Sequence, residues 1–341
     1  MMATPGVPTH GPEDPPTWLG GAHVAVILPC FNEAPRIAAV LASVPAWVRT
    51  VVVVDDASSD TTCEVARSVG DPRVVVEVHP RNRGVGAATC TGYRVAQALG
   101  ADICVKMDGD GQMAAEDLPA LLEPILAGRA DYSKGNRFHD LDALDRMPWV
   151  RRLGNSVLSF LIKLVSGYWS IFDPTNGYTA IRSDTLRRLR LDQLSEHYFF
   201  ETSILVELNI RGAVVEDVPM PARYGEETSS LRIGRVIRQF PPLMVRGLCR
   251  RLFWRYLVYD FSVVTVCVLG GLPLLLFGAV FGAMRWYRST VTGVPASAGT
   301  TILAALPVML GVQLLLVATV LDLLLEPKTR RGQPPFKAPR A

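Results

Sequence analysis

Ile103-Cys-Val-Lys-Met107-Asp108-Gly109-Asp110-Gly111-Gln112 opens as a short apolar run and closes on alternating acids and glycines. Ile103 to Met107 reads as a buried strand, with its polar groups gathered at the carboxyl end. Upstream the same shape recurs. His23 to Leu28 predicts a strand that stops at Pro29, and residues 33–44 predict a helix with Ile37, Val40 and Leu41 on one face. Val51 to Val54 is a β-branched run ending on Asp55 and Asp56, with Ser58, Asp60 and Thr61 opening the next helix. Val74 to Val78 reads as another strand, and Gly84 to Leu99 as a helix rich in small residues. Apolar strands alternating with helices predict an α/β domain with a mostly parallel sheet covered on both faces. Such sheets bind ligands beyond the carboxyl ends of their strands. Three polar clusters fall there: Pro29 to Glu33, Asp55 to Asp60, and Asp108 to Gln112.

Downstream, Leu118 to Leu126 predicts a helix, and a segment carrying Lys134-Gly-Asn-Arg137-Phe138 follows. Val150 to Val165 is helical by its apolar spacing and has Arg151 and Arg152 at its start. A turn-rich stretch, Asp173 to Tyr178, leads to Tyr198-Phe-Phe-Glu201 and another helix, and Val214 to Val218 predicts a late strand. After a polar loop from Arg223 to Leu231, Ile233, Val236, Ile237 and Phe240 share one helical face, with Arg232, Arg235 and Arg238 on the other. That is the pattern of a helix lying on an anionic bilayer, and Pro241-Pro242 should break it.

The 341 residues are 49% hydrophobic and 20% charged, with a mean hydropathy of +0.23. The apolar surplus is concentrated. Residues 261–284 and 289–321 contain no charge, and each stretch is long enough to cross about 30 Å of hydrocarbon. This excludes a purely soluble protein, and the first 250 residues exclude a protein embedded throughout. A net charge of +3 is too small to call for nucleic acid, but arginines crowd the approach to the first stretch and basic residues follow the second. The positive-inside rule then puts both termini in the cytoplasm. The six cysteines show no C-x-x-C spacing and predict buried free thiols in a reducing compartment. The predicted organisation is a disordered leader (1–21), a catalytic α/β domain (22–230), amphipathic juxtamembrane helices (231–256), two transmembrane helices with a short outward loop (257–325) and a basic tail (326–341). Gly270, Gly271, Gly278 and Gly282 could pack one span against the other or join protomers of a homo-oligomer.

Asp108, Asp110 and Gln112 offer hard oxygen ligands suited to Mg2+ or Mn2+, and Gly109 and Gly111 permit the close turn. Alone, such a triplet is a solvated turn; its place at the end of a buried strand beside two other polar clusters favours a site. Asp55 and Asp56 exceed what a helix cap needs, although Ser58 or Asp60 caps the following helix.

Val24 to Glu33, Val51 to Asp60 and Lys106 to Gln112 together resemble family 2 glycosyltransferases of the GT-A fold. The chain is similar in particular to polyprenyl-phosphate (dolichyl-phosphate) hexose synthases with a membrane-anchoring C-terminus, over roughly 23–259. The resemblance implies transfer of a hexose from a nucleotide sugar such as UDP-glucose or GDP-mannose to polyprenyl phosphate, with inversion. It implies that Pro29, Phe31, Glu33, Val54 and Asp56 hold the nucleotide, with Gly109 giving it close approach. Asp108, Asp110 and Gln112 would hold the metal on the diphosphate. Arg137, Arg152 and Ser156 would meet the acceptor phosphate, and Arg223 would close over the donor.

Charge develops on the leaving diphosphate, so a divalent cation and arginines suit the reaction. An acceptor phosphate is already ionised at neutral pH and needs no strong general base. Glu201 is then a base, as an acid in this region is for hydroxyl acceptors, or a structural carboxylate. His139 and His197 pair with nothing in the sequence. Two departures from the family pattern stand out: no lysine follows Arg223 closely, and glycines occupy the metal motif where relatives often have Ala and Leu. The competing readings are a polysaccharide-polymerising synthase, which lacks support for want of a Gln-x-x-Arg-Trp motif, and a non-catalytic membrane scaffold or flipping partner.

Overall fold

The computed structural model describes residues 16–137, 149–221 and 233–328, and the chain divides near Gly247 into two compact units. The first contains a seven-stranded sheet in the order β3-β2-β1-β4-β6-β5-β7. Its strands are β1 (Val24–Cys30), β2 (Thr50–Asp55), β3 (Val74–Val78), β4 (Ile103–Lys106), β5 (Tyr132–Asn136), β6 (Thr179–Arg182) and β7 (Val215–Pro219). The helices are α1 (Ile37–Ser43), α2 (Thr62–Ser68), α3 (Val85–Ala98), α4 (Leu118–Leu126), α5 (Trp149–Ser166), α6 (Ser183–Arg188), α7 (Phe200–Ile210) and α8 (Ile233–Leu252).

β1 to β4 pair parallel, as their apolar runs predict. Alternate side chains leave opposite faces and build two cores. On one face Val24, Val26 and Leu28 meet Ile37 and Leu41 of α1 and Leu118 and Leu122 of α4. On the other, Ala25, Ile27, Val52 and Val54 meet Tyr93 of α3 and Ile204 of α7.

Four expectations change. β1 runs through Pro29 to Cys30 instead of stopping at the proline. The Ile27 carbonyl accepts from Met107 beside β4 and the Cys30 carbonyl from Asp56 beside β2, so residue 29 faces the β4 side. There the β4 ladder has already ended at the Ile27–Lys106 pair, and the missing N–H costs no ladder bond. Second, β5 and β6 were not foreseen as strands, and β6 is antiparallel to both β4 and β5. Third, α8 continues through Pro241 and Pro242. Both prolines are exposed, and the helix continues at the cost of the two intrahelical bonds that their missing N–H groups would have made. Fourth, the leader is not wholly outside the fold: Leu19 is buried in the first core and Trp18 packs edge-on against Trp47 at 5.3 Å.

The second unit holds α9 (Val263–Thr292) and α10 (Ala298–Leu324), two helices long and apolar enough to span a membrane. A Cβ on Gly278 would stand 2.7 Å from the Ala304 carbonyl oxygen, and one on Gly311 would stand 2.6 Å from the Leu275 nitrogen, so small residues set the helix approach. Gly271 faces Gly311 and Leu314 in the same seam. At one end, the buried Arg251 binds Asp322 bidentately at 2.6 and 3.0 Å, and the Tyr256 hydroxyl donates to the same carboxylate. All six cysteines are free; Cys249 is exposed and Cys63 partly so, unlike the buried other four.

Candidate active site

The carboxyl ends of β1, β2 and β4 stand side by side, and short hydrogen bonds bind the first two together. The Asn32 N–H donates to Ser58 Oγ at 2.9 Å, the Glu33 N–H to Thr62 Oγ1 at 2.8 Å, and the Ser59 N–H to Asn32 Oδ1 at 2.8 Å. Neither Ser58 nor Asp60 is the cap of α2, which is Thr61; Asp60, one residue before the cap, instead accepts from the Thr62 N–H at 3.0 Å. Asn32 and Ala57 are the non-glycine residues with positive φ, +60° and +59°, among those described. Such left-handed residues cluster where a loop is shaped for a ligand.

Phe31 is exposed at this edge, whereas Val54 lies within the second core. Glu33 pairs with Arg36 at 2.9 Å. Asp56 is buried, and its carboxylate accepts from His79 Nδ1 at 2.6 Å and from the Arg83 and Gly84 N–H groups at 2.9 and 2.6 Å. These bonds hold the loop before α3. His79 extends the chain to Thr91 Oγ1 at 2.9 Å.

At the end of β4, Asp108 Oδ1 accepts from Lys106 Nζ at 2.7 Å. Lys106 is 1% exposed, and its ammonium also reaches Gly177 O and Glu201 Oε1, each at 3.4 Å. Burial pulls that ammonium toward neutrality, yet the charges of Asp108 and Glu201 outweigh it and raise its pKa. Asp110 Oδ1 accepts from the Gln112 N–H at 3.0 Å, which folds the acidic turn back on itself. A Cβ on Gly109 would stand 2.6 Å from Cys30 Sγ. Glycine at position 109 therefore lets the acidic turn lie against β1, beyond merely loosening the backbone. Gly177 leaves space beside Lys106 Nζ and Asp108 Oδ2, where a Cβ would approach to 2.6 and 2.9 Å.

A cleft opens from this turn, lined by Gln112, Met113, Asp117, Arg137, Asn176 and Tyr178. Arg137 Nε donates to Asp173 Oδ2 at 2.8 Å. Asp173 is wholly buried and also accepts from Thr175 Oγ1 at 3.1 Å. The Tyr178 hydroxyl donates to the Ala114 carbonyl at 2.9 Å, tying β6 to the far side of the acidic turn. Ser156 is exposed on α5. Arg152 falls in the first turn of α5, its side chain outside the described residues, as are Arg223 and His139 altogether. His197 is exposed.

Several charged groups of this region escaped sequence reasoning. Lys134 is buried in β5 with its ammonium donating to the Asn176 carbonyl, and burial lowers its pKa to about 8. Asp217 in β7 accepts from the Phe172 N–H at 2.6 Å, and burial raises its pKa to about 6. Lys106 carried a visible signal, a lysine inside an apolar strand, and Asp217 lies within the Val214 to Val218 run read as a strand; Lys134 sits in a polar-looking stretch and carried none.

Residues 25–190 match Glycosyl transferase family 2. The polyprenol monophosphomannose synthase of Mycolicibacterium smegmatis is 30% identical over 70% of this chain and 92% of its own. The chain belongs to glycosyl transferase family 2. This glycosyltransferase is also 28% identical to the UDP-N-acetylglucosamine–dolichyl-phosphate N-acetylglucosaminyltransferase of Methanococcus voltae, over 60% of this chain and 86% of that one. Its first unit shares the GT-A fold of glucosyl-3-phosphoglycerate synthase from Mycobacterium tuberculosis, solved with Mn2+, UDP-glucose and phosphoglyceric acid. The TM-score is 0.51 at 22% identity, covering 69% of this chain and 81% of that one.

Proposed function

We propose that this glycosyltransferase moves a hexose from UDP-glucose or GDP-mannose to polyprenyl phosphate, inverting the anomeric carbon. The observation that carries the reading is the cleft in which the acidic turn, through Gln112 and Met113, faces Arg137. That arrangement suits a donor diphosphate held beside a guanidinium matched to an acceptor phosphate. The relatives named for dolichyl-phosphate and polyprenol acceptors support the acceptor class.

Asp108, Asp110 and Gln112 offer the carboxylate and amide oxygens that Mg2+ or Mn2+ prefers, and Gly177 keeps the flank of Asp108 open. Among the described residues no three His, Cys, Asp or Glu side chains converge as a cage, which suits a cation that completes its shell with diphosphate oxygens. The synthase that shares the fold holds Mn2+ with its sugar nucleotide. When bound, the cation supplies positive charge to the departing diphosphate.

In this reading Pro29, Phe31, Glu33 and the main chain around Val54 hold the nucleotide. Asp56 acts by fixing the loop at Arg83 and Gly84. Arg137, Arg152 and Ser156 orient the acceptor phosphate. One of its oxygens forms the bond to the anomeric carbon as the sugar–diphosphate bond breaks on the opposite face, which inverts the centre. The nucleophile is already ionised, and Glu201, engaged by Lys106, need not take a proton. Arg223 closes over the donor. The enzyme works at a bilayer, with α9 and α10 crossing it and both termini in the cytoplasm, so the lipid acceptor stays within reach.

The test is to incubate the membrane-reconstituted protein with polyprenyl phosphate and a panel of nucleotide sugars, reading out lipid-linked sugar. One donor of the panel should label the lipid, and Asp110→Asn should lower the rate at least about 100-fold with the fold intact. An Asp110→Asn protein as active as wild type would sink the metal-dependent mechanism.

A further inference from the structure

Lys106 places a charge at the end of the central strand, inside the sheet. It pairs with Ile27 of β1 on one side and with Thr179 of β6 on the other, and it is 1% exposed. An ammonium has three N–H donors, and here three acceptors meet it: Asp108 Oδ1 at 2.7 Å, and Gly177 O and Glu201 Oε1 at 3.4 Å each. With its donors matched and its stem enclosed, the ammonium stays out of the cleft. It acts on the site through the acids it holds.

That hold divides the Asp108 carboxylate. Oδ1 carries the Lys106 bond, while Oδ2 lies on the flank where Gly177 has no side chain and a Cβ would stand 2.9 Å away. Asp110 Oδ1 likewise accepts from the Gln112 N–H at 3.0 Å. Each acid of the turn therefore has one oxygen engaged within the protein. Divalent cations differ in what they ask of such a carboxylate. Ca2+ gathers about six to eight oxygens and often takes both from one carboxylate, whereas Mg2+ keeps a strict octahedral shell that includes several waters. Mn2+ also suits an octahedral set of oxygens.

We propose that Lys106 is a positioning residue that keeps Asp108 a one-oxygen ligand and so makes the acidic turn select Mg2+ or Mn2+ over Ca2+. The inference rests on the metal reading above. A cation that also took Oδ1 would lie against the Lys106 ammonium, and the two positive charges would repel. Ca2+ thereby loses the two-oxygen contact it favours. Mg2+ and Mn2+ lose nothing, because diphosphate oxygens and water complete their shells.

The test is equilibrium dialysis of the full chain in detergent against Mn2+, with UDP and, separately, GDP in excess. Nucleotide and its Mn2+ complex cross the membrane freely, so only protein-bound Mn2+ is retained, and Mg2+ or Ca2+ is titrated in as competitor. For wild type, Ca2+ should need at least about tenfold more than Mg2+ to displace half the Mn2+. Lys106→Met should bring the two competitors level, whereas Lys106→Arg, which keeps charge and donors, should preserve the gap. Retained nucleotide binding reports that each variant is folded, and the wild-type arm decides alone where a variant is not. Wild type displaced as readily by Ca2+ as by Mg2+ overturns the inference. So does a folded Lys106→Met protein with an unchanged gap, which would reduce Lys106 to packing, or a folded Lys106→Arg protein that has lost it. Wild type that retains no Mn2+ with either nucleotide overturns the metal reading and this inference with it; Mn2+ retained without preference between the competitors overturns this inference alone.

Discussion

Lys106 and Glu201 show how much one buried charge organises. The lysine emerges from β4 with its ammonium between the carboxylates of Asp108 and Glu201, so neither acid is a free base. Mutating Glu201 to Gln should keep the Lys106 contact through the amide oxygen and leave kcat within about tenfold of wild type, since a general base would be worth roughly 100- to 10,000-fold. Steady-state kinetics with saturating acceptor decide the matter, and a loss of about a thousandfold would restore Glu201 as the base. Asp56 belongs to the same class of residue: its oxygens accept from His79 and from the Arg83–Gly84 backbone, so it also shapes the loop before α3. Nothing in the sequence around Asp56 announces this, because its partners lie more than twenty positions away and arrive only when β3 closes against β2.

Among the elements, the β5–β7 pair carries the pH dependence. In register, Lys134 opposes Asp217, and burial drives the Asp217 carboxyl up to about 6 from an ordinary 3.8. Between about pH 4 and about pH 6 the folded protein therefore binds more protons than the unfolded chain, and its stability falls as the pH rises through that window. The full excursion is at most about 2–3 kcal/mol. Thermal melts in detergent from about pH 4 to about pH 7 should show the decline, and Asp217→Asn should flatten it. β5, with β6 beside it, was also the least legible part of the fold, whereas β7 was expected from its valines. Tyr132-Ser-Lys-Gly-Asn has neither an apolar run nor alternation, and it becomes a strand because β6 and β7 supply partners on both sides. By contrast β1, β2 and β4 are legible from their apolar runs alone, since each is buried on both faces.

At the scale of the whole molecule, the chain joins a GT-A unit to a helical hairpin closed at one end by Arg251, Asp322 and Tyr256. Removing one partner of a buried ion pair leaves the other charge uncompensated, at a cost of about 3–5 kcal/mol. Asp322→Ala should accordingly lower the melting temperature of the detergent-solubilised protein and increase proteolysis between α9 and α10. Asp322→Asn should recover part of the loss by keeping a hydrogen-bond acceptor. The proposed orientation is tested by impermeant thiol labelling of intact cells. A cysteine replacing Ala296, between α9 and α10, should react from outside, whereas the native exposed Cys249 should stay unlabelled until the membrane is opened. The reverse pattern would overturn the orientation.

The alternation of strands and helices, the acidic turn after β4 and the two long uncharged stretches are local patterns, written in consecutive residues and readable without neighbours. They are enough to predict the fold class, the family resemblance and a site at the strand ends. Pairing is different. That Lys106 would neutralise Asp108, that Asp173 would grip Arg137, and that Arg251 would meet Asp322 across 71 positions depends on which buried charges the folded backbone brings within reach. A buried charge has to find its counter-charge in space, so these partnerships belong to the tertiary structure.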